Sequence, residues 1–281
     1  MADSNNNVIV EIRNLSKTFP GVKALSNVDF VLRRGEVHGL MGENGAGKST
    51  LIKVLTGLYK RDGGEILYEG RPFELSSPIE APKHGISTVY QEINLIPALS
   101  VAENIYLGRQ PIRFGRLDWK TINSGAQAAL KKLDVEVDVT QPVSSYSVAI
   151  QQLVAIARAL DISARVLILD EPTSSLDIPE VEQLFAVIRK LKDDGMAILF
   201  VTHFIDQVYQ ISDRITVLRN GELVGEYPTA ELPRVDLVAR MLGRQLVEFE
   251  REEKKTVTNG DQTKHKVFFQ VRGMARKGTI S

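Results

Sequence analysis

The 281-residue sequence contains no cysteine, and its formal net charge at pH 7 is +0. The lack of cysteine excludes disulfides and thiolate metal sites, which fits the reducing cytoplasm. A neutral chain gives no sign of a nucleic-acid-binding surface, because such proteins are typically basic. The polar N-terminus, residues 1–7, lacks the features of a signal peptide. No apolar run reaches the roughly 18 residues of a membrane-spanning helix, so any work at a membrane is expected to go through a partner.

The most informative stretch of the sequence is rich in glycine: Gly42-Glu43-Asn44-Gly45-Ala46-Gly47-Lys48-Ser49-Thr50. It follows an apolar run of strand length and precedes apolar residues with helical spacing, which is the context of a phosphate-binding loop. Backbone amides of the loop and of the helix N-terminus are expected to bind phosphate. Lys48 is expected to reach the β- and γ-phosphates, and the Ser49 hydroxyl to ligate Mg²⁺. The competing interpretation is a glycine-rich turn between core elements.

The rest of the chain alternates strand-like and helix-like segments. This pattern predicts an α/β fold with a mainly parallel sheet flanked by helices. Residues 8–12 alternate apolar and polar side chains in the manner of an edge strand. Four polar landmarks follow predicted strands directly, and they are Gly42, Gln91, Asp170 and His203. Because ligands bind beyond the carboxyl ends of parallel strands, we expect these four residues to converge on one edge of the sheet.

The acidic pair that ends the apolar run 165–169 carries the predicted chemistry. Asp170 is expected to hold Mg²⁺ through water, opposite Ser49. Glu171 is expected to orient or deprotonate the water that attacks the γ-phosphate. Gln91 offers an amide oxygen to Mg²⁺ or to that water, and His203 is expected to hydrogen-bond the γ-phosphate. Each also has a simpler interpretation, namely an acidic strand end, a solvated loop residue or a structural histidine.

Two further positions have both a structural and a functional interpretation. Asp177 has the spacing of a helix N-cap, with Glu180 three residues later, and it is also a candidate nucleotide-site residue. Phe19 lies in a Phe-Pro-Gly turn, where it either stacks on adenine or belongs to the buried core. Both alternatives stay open at the level of the sequence.

The end of the chain repeats its beginning. Residues 248–266 are charged and poor in core-forming side chains, so we interpret them as a linker. The segment 269–276 then resembles 10–17 in the type of residue at each position, which predicts that a second copy of the domain starts at 267–281; the competing interpretation is a coincidence between two alternating strands. The expected first domain is 1–247, and the expected whole is a longer, two-copy protein.

Taken together, the motifs resemble the ATP-binding-cassette ATPases. The resemblance rests on GENGAGKST at 42–50, Gln91, YSVAIQQ at 146–152, LILDEPTSSLD at 167–177 and His203, in that order. It implies a P-loop, RecA-like core with an antiparallel β-subdomain and a helical subdomain at about 99–160. It also implies that two such domains pair head to tail, each ATP lying between one phosphate loop and the signature of the other. Ser147 would be the signature residue that reaches the ATP of its partner.

Further segments resemble one group within this family. The segments 89–109 and 241–244, together with the second copy, resemble bacterial simple-sugar importers with two fused ATPase domains. The segments 147–152, 202–221 and 276–281 look most like ATPases of galactofuranose importers. This implies ATP and Mg²⁺ as cofactors, membrane-spanning permease subunits and a second nucleotide-binding domain as partners, and indirectly a periplasmic sugar-binding protein. The implied location is peripheral, at the cytoplasmic face of the bacterial inner membrane.

The signature departs from the usual Leu-Ser-Gly-Gly-Gln of the resembled family. Val148, Ala149 and Ile150 replace Gly, Gly and Gln. The methyl group of Ala149 is expected to hinder the close approach of the backbone to a γ-phosphate, at a cost of roughly 1–3 kcal/mol. One composite site would then be competent and the other weak.

Two other classes compete with the importer ATPase. A cassette protein that acts on ribosomes or chromosomes usually carries long inserted arms, and none is visible in the sequence. A phosphate-loop GTPase should show Asn-Lys-x-Asp, which is absent, and a small-molecule kinase would not need the elements at 146–152 and 203.

Overall fold

A computed structural model describes residues 7–91 and 94–243 of the chain. In chain order the strands are β1 (Val8–Phe19), β2 (Val22–Arg33), β3 (Val37–Met41), β4 (Gly63–Tyr68), β5 (Arg71–Pro72), β6 (Ile86–Val89), β7 (Ile112–Arg113), β8 (Arg116–Leu117), β9 (Val166–Asp170), β10 (Ala197–Val201), β11 (Arg214–Arg219) and β12 (Glu222–Pro228). The helices are α1 (Lys48–Leu55), α2 (Glu80–Lys83), α3 (Val101–Ile105), α4 (Trp119–Lys131), α5 (Val148–Asp161), α6 (Ile178–Asp193), α7 (Ile205–Ile211) and α8 (Arg234–Leu242).

The central sheet has six strands in the order β12-β11-β3-β10-β9-β6. All neighbouring strands are parallel except the β11–β12 hairpin at one edge. Every residue of β3 and β10 is buried, and so are the first four residues of β9. This explains their continuous apolar sequences, because helices cover both faces of such a sheet. The predicted parallel α/β fold is confirmed.

A second, antiparallel sheet has the order β2-β1-β4-β5. The edge-strand prediction for residues 8–12 is wrong, because β1 pairs with β2 on one side and β4 on the other. Burial follows the alternation only from Val10 onward: Val10 and Ile12 are buried, Glu11 is partly exposed and Arg13 is exposed, whereas Ile9 is buried next to Val10. Alternation of apolar and polar residues indicates that one face of a strand is buried. It does not indicate whether the strand pairs with one neighbouring strand or with two.

The chain segment that connects β6 to β9 contains three helices, α3, α4 and α5, which pack against one another. Helix α3 begins at Ser100 with a reciprocal capping box, in which the Ser100 hydroxyl accepts from the Glu103 N–H and the Glu103 carboxylate accepts from the Ser100 N–H. Asp118 caps α4 by accepting from the Thr121 N–H. These helices occupy the segment expected to form the helical subdomain, although the exact domain boundaries stay a prediction.

Several elements were not predicted because they are short. Helix α2, helix α7 and the strands of the β7–β8 hairpin each offer too few residues for a periodic pattern. No described helix is long and apolar enough to cross a membrane. The predicted linker at 248–266, the predicted second copy at 267–281 and the last residues of the predicted first domain, 244–247, lie outside the described residues.

Candidate functional site

The predicted phosphate-binding loop connects the end of β3 to the start of α1. Its conformation requires glycine at two positions. Gly42 has φ +155°, and a Cβ there would lie 2.4 Å from the carbonyl oxygen of Leu218. Gly47 has φ +105°, and a Cβ there would lie 2.8 Å from the carbonyl oxygen of Ala24. The neighbouring backbone therefore leaves no room for a side chain at either position, and the loop packs directly on β2 and the end of β11.

A cavity of about 610 Å³ opens in front of this loop. Residues 44–50 line it, as do Phe19, Gln91, Asp170 and Glu171. Sequence analysis placed these residues at one site from four separate segments, and the structure brings them together. Gly42 lies behind the loop, where its role is to let the backbone turn.

The ammonium group of Lys48 is buried within the loop. Its Nζ donates to the carbonyl oxygens of Gly42 at 2.7 Å and of Glu43 at 3.1 Å. Burial lowers the pKa of Lys48, and the nearby charges of Glu171 and Asp170 partly oppose that effect. The desolvated ammonium group can attract an anionic ligand, and the two carboxylates can attract a divalent cation bound to that ligand.

Asp170 is the last residue of β9, and its pKa is shifted in the opposite direction to that of Lys48. Burial raises the pKa of the Asp170 carboxyl, repulsion from Glu171 raises it further, and Lys48 lowers it. Lys53 also lowers the pKa of Asp170, but burial, the largest cause, and the charge of Glu171 outweigh the two lysines. A bound cation would relieve this repulsion, which is a property expected of a metal site. Within the described residues, no group of three or more His, Cys, Asp or Glu side chains could hold a metal unaided.

The backbone at Glu171 is strained. Its φ is +51°, in the left-handed region that residues with side chains seldom adopt. The Glu171 N–H donates to the carbonyl oxygen of Val201 at 2.8 Å, which fixes the turn after β9 against β10. Its side chain is only 14% exposed. Strain of this kind persists where surrounding contacts hold it, commonly at functional sites.

His203 lies beside Glu171. Its Nδ1 is 2.9 Å from Glu171 Oε2, close enough for an ion pair but without the alignment of a hydrogen bond. The imidazole is 56% exposed and stacks on Phe204 with ring centroids 4.1 Å apart. His203 does not line the cavity itself but borders its acidic end. The structure therefore places His203 next to the predicted general base, at the surface.

Phe19 is half-buried and lines the cavity, so the core interpretation of this residue is wrong. The edge of its ring packs against Tyr59, with ring centroids 5.1 Å apart at 71°. The Lys17 ammonium lies 5.4 Å from its centroid. A partly exposed aromatic ring at the mouth of the cavity has the position that a base-stacking residue needs, and the stacking itself stays a prediction.

Ser147 and Asp177 lie outside the cavity lining. Ser147 is exposed at the start of α5 and accepts from the Ile150 N–H at a long 3.4 Å. Asp177 accepts from the Glu180 N–H at 2.9 Å and completes a capping box at the start of α6. The capping prediction for Asp177 is confirmed. The assignment of Ser147 to the nucleotide site of another domain stays a prediction.

The expectation that the Ala149 methyl group hinders a γ-phosphate stays a prediction, but Val148 is the more exposed of the two residues. Ala149 is 4% exposed, so its methyl group lies inside the chain instead of at the surface. Val148 is 41% exposed and presents the added bulk that the glycine-rich signature would lack. Successive residues of a helix lie on different faces, so position 149 of α5 points inward and position 148 outward. Matching the signature letter by letter does not reveal this difference.

Sequence reasoning also missed part of the cavity wall. Residues 22–24 of β2 and Asn220 of the β11–β12 turn contribute to the lining. The turn is held there because the Gly221 N–H donates to the carbonyl oxygen of Ala46 at 3.1 Å. Asn220-Gly221 was predicted as a hairpin turn, which is correct, but no local signal showed that this turn would pack on the phosphate loop.

Comparison with protein families gives one match in this region. Residues 25–174, from β2 through the loop after β9, match the family described as ABC transporter. That range is more than half of the chain and contains the phosphate loop, Gln91, the signature segment and the Asp170–Glu171 pair.

Curated proteins with similar sequences are named as sugar-import ATP-binding proteins. The galactofuranose transporter ATP-binding protein YtfR of Escherichia coli (strain K12) is 55% identical over 246 residues, which are 88% of this chain and 49% of that protein. The fructose import ATP-binding protein FruK of Bifidobacterium longum (strain NCC 2705) is 48% identical over 99% of this chain and 54% of its own length. The chain thus spans about half the length of the curated relatives it matches.

Solved structures agree with the fold. The ADP conformation of MJ1267, an ATP-binding cassette of an ABC transporter, has a TM-score of 0.72 at 25% identity, covering 87% of this chain and 98% of that one. The dimeric post-hydrolysis state of the cassette MJ0796, bound to ADP and Pi, has a TM-score of 0.67 at 30% identity and covers 79% and 99%. Because the family match, the relatives and the solved cassettes agree, this chain belongs to the ABC transporter family as one of its ATP-binding cassettes.

Proposed function

We propose that this chain binds and hydrolyses ATP as the nucleotide-binding subunit of a bacterial sugar importer. One observation carries the proposal: a single cavity gathers the glycine loop, Lys48, Asp170 and Glu171 at the carboxyl edge of a parallel sheet. Relatives named for the import of galactofuranose and fructose support the assignment to sugars. Galactofuranose or a similar monosaccharide is the proposed cargo.

The triphosphate would lie along the loop 44–50. The uncapped amides at the start of α1 and the Lys48 ammonium face the position where negative charge would accumulate. Phe19 would stack on the adenine at the opposite end of the cavity, which is wide enough for a nucleotide at about 610 Å³. The loop would thereby fix the γ-phosphate near the acidic pair after β9.

The residues present fit a magnesium ion, because a hydroxyl, an amide oxygen and a carboxylate share the cavity wall. Ser49, Gln91 and Asp170 would hold it, leaving the other positions to water and phosphate oxygens. The ion would neutralise charge on the β- and γ-phosphates during transfer. The raised pKa of Asp170 fits this assignment, since burial and the neighbouring Glu171 both disfavour its charged form when no cation is bound.

Glu171 would accept a proton from the water that attacks the γ-phosphorus, while the bond to the ADP oxygen breaks and phosphate leaves. Its low exposure and fixed backbone hold the carboxylate in place for this role. His203, 2.9 Å from Glu171, would contact the same phosphate and orient the carboxylate. Both groups are supplied by this chain.

The proposed assembly contains further parts. A second nucleotide-binding domain would supply the signature opposite this phosphate loop, and Ser147 would act in turn on the ATP of that domain. In this proposal 1–247 form the first domain, 248–266 a linker and 267–281 the start of the second. Permease subunits would carry the sugar, supplied by a periplasmic binding protein, with this chain at the cytoplasmic face of the inner membrane.

The substitution Glu171→Gln tests the proposal. It is expected to leave the affinity for a fluorescent ATP analogue unchanged and to reduce phosphate release and sugar uptake by at least about 100-fold, the usual contribution of a general base. Glu222→Gln, at an exposed carboxylate of β12, is the matched control and should behave as wild type. Normal phosphate release by the Glu171→Gln variant would contradict the assigned chemistry.

A further inference from the structure

Four of the exposed large apolar side chains of the described residues lie in or next to the β7–β8 hairpin. Ile112 is 72% exposed, Phe114 92%, Leu117 44% and Trp119 47%. Four large apolar side chains at the surface within eight residues are uncommon, because soluble proteins usually scatter them. The hairpin contributes nothing to the nucleotide cavity, so the proposed hydrolysis does not explain it.

The hairpin is amphipathic. Ile112 pairs with Leu117 across the two strands, and Arg113 pairs with Arg116. Because side chains alternate along a strand, the apolar pair lies on one face and the arginine pair on the other. The turn between them consists of Phe114 and Gly115, both with positive φ, which puts the phenyl ring at the tip.

The arginine pair has one acidic neighbour, Asp118, whose pKa is lowered mainly by its hydrogen bonds to Thr121 and to a smaller extent by the charge of Arg113. Neither Arg113 nor Arg116 forms an ion pair within the described residues, and like charges directly opposite one another destabilise a hairpin. Arg109 at the base of the hairpin is different, since it forms an ion pair with Asp161 at 2.7 Å. Asp118 is the nearby acid, and its carboxylate already accepts from the Thr121 N–H and hydroxyl as the cap of α4.

We propose that this hairpin, residues 112–119, binds the surface of a bilayer that contains anionic lipids. The two arginines would bind phosphodiester headgroups, for which a planar guanidinium has the right geometry. Phe114 and the apolar pair would enter the boundary between headgroups and acyl chains, and Trp119 would lie at headgroup depth, where tryptophan is enriched.

The shape of the hairpin favours a lipid surface over an acidic protein. A protruding tip with one fully exposed aromatic ring needs a pocket in a protein partner, whereas a fluid interface accommodates it without one. Arg113 lies over the Phe114 ring, with its guanidinium carbon 5.4 Å from the centroid, so charge and apolar surface reach the same depth. The proposal goes beyond the proposed function and does not depend on it, because lipid binding requires no nucleotide.

The protein carries its own reporter for this interaction. Trp119 is the one tryptophan in the sequence and lies at the base of the hairpin. Vesicles of phosphatidylglycerol and phosphatidylethanolamine are expected to shift the tryptophan emission to the blue and to sediment the protein. Vesicles of phosphatidylcholine should do neither, and 0.5 M salt should weaken the anionic case because the attraction is electrostatic.

Two variants separate the components of binding. Arg113→Gln/Arg116→Gln should weaken vesicle binding by about 30-fold, since each basic residue near an anionic surface contributes about 1 kcal/mol. Phe114→Ser should reduce the blue shift and the affinity while keeping the charge. The charge-matched control is Arg71→Gln/Lys60→Gln, at two exposed basic residues in another part of the chain, which should bind almost as wild type.

Several outcomes would overturn the proposal. Anionic vesicles that leave Trp119 emission unchanged would do so, as would equal weakening by the control pair, which would indicate a general charge effect. Capture by immobilised acidic polypeptide without vesicle binding would point to a protein partner instead. Nucleotide affinity should stay normal in every hairpin variant, so failure here is distinguishable from failure of the proposed function.

Discussion

Helices α1 and α6 both follow the carboxyl edge of the central sheet, yet they begin in opposite ways. Helix α1 starts after Gly47, which has left-handed backbone angles and provides no side-chain acceptor for the first amides. Helix α6 starts after Asp177, whose carboxylate accepts from the Glu180 N–H, and the Glu180 side chain accepts in return. The N-terminus of α1 is therefore open, meaning that no side chain caps its amides, whereas the N-terminus of α6 is capped by Asp177.

The difference shows how local sequence selects the phosphate site. Every helix N-terminus has unpaired amides and a positive dipole end, so position at the sheet edge is insufficient. At α6 these amides are occupied, and the Asp177 carboxylate would repel a phosphate. At α1 the glycines remove both obstacles, and the Lys48 ammonium adds a positive charge. The predictions below test this contrast, beginning with the largest effect.

Gly47→Ala should damage the open end of α1 far more than Gly45→Ala. A Cβ at Gly47 would lie 2.8 Å from both the Ala24 carbonyl oxygen and the Leu25 Cδ2, whereas a Cβ at Gly45 would have no neighbour within 4 Å. Both variants incur left-handed strain of roughly 1–3 kcal/mol. Gly47→Ala adds overpacking of roughly 1–3 kcal/mol. Denaturant unfolding measures the difference, and equal losses would contradict the packing argument.

Much of this contrast is predictable from sequence, because both helix starts have local signals. The Asp177–Glu180 capping box needs four consecutive residues, and so does the one at Ser100–Glu103. The glycine-rich loop is likewise continuous. Because the apolar runs that form β9 and β10 are contiguous, the convergence of Asp170 with the loop also followed from general rules for parallel sheets.

Other features depend on contacts between distant segments, and no local pattern encodes them. The pairing of β1 with β4 made an internal strand of a segment that alternates like an edge strand. Asn220 lines the cavity because Gly221 bonds to Ala46, more than 170 residues earlier. At the signature, a comparison by position missed that the helix turns Ala149 inward.

Asp170→Asn should stabilise the nucleotide-free protein while impairing its function. Burial raises the pKa of this carboxyl above its usual 3.8, so the native state binds the proton more tightly than the unfolded state does. The free energy of unfolding therefore falls as pH rises from about 3.8 through the native pKa, and the cost is fully present at neutral pH. Removing the charge should therefore raise Tm at pH 7.

Two thermal scans check this prediction for Asp170→Asn. One, over a range of pH, should show that the gain in stability is largest near neutral pH and disappears well below pH 3.8, where the wild-type carboxyl is protonated as well. The other, with ATP and Mg²⁺, should show that the additional stabilisation by Mg²⁺ is reduced, since asparagine offers an amide oxygen without the negative charge of the carboxylate. A variant that gains no stability without nucleotide, or keeps its full response to Mg²⁺, would argue against Asp170 as a strained metal-site carboxylate.

The smallest effects concern the two capped helices. Asp177→Ala should cost about 1 kcal/mol of stability, the typical value of an N-cap, because the 2.9 Å hydrogen bond from the Glu180 N–H to its carboxylate is lost. Ser147→Ala should cost about 0.5 kcal/mol or less, since its one capping contact is 3.4 Å long. Denaturant unfolding measures both losses, and nucleotide binding by the chain alone should not change in either variant.

Measuring sugar uptake distinguishes a residue that only caps its helix from one that also has a role in transport. If Ser147 serves mainly as a cap, its removal should affect uptake less than that of Asp177 does. We expect the reverse, a loss of uptake in Ser147→Ala out of proportion to its stability cost, because the exposed hydroxyl at the open surface of α5 is available to a second domain. Ser147→Thr keeps the hydroxyl and should restore part of the uptake. Uptake that simply follows stability across the three variants would leave Ser147 as an ordinary, weak helix cap.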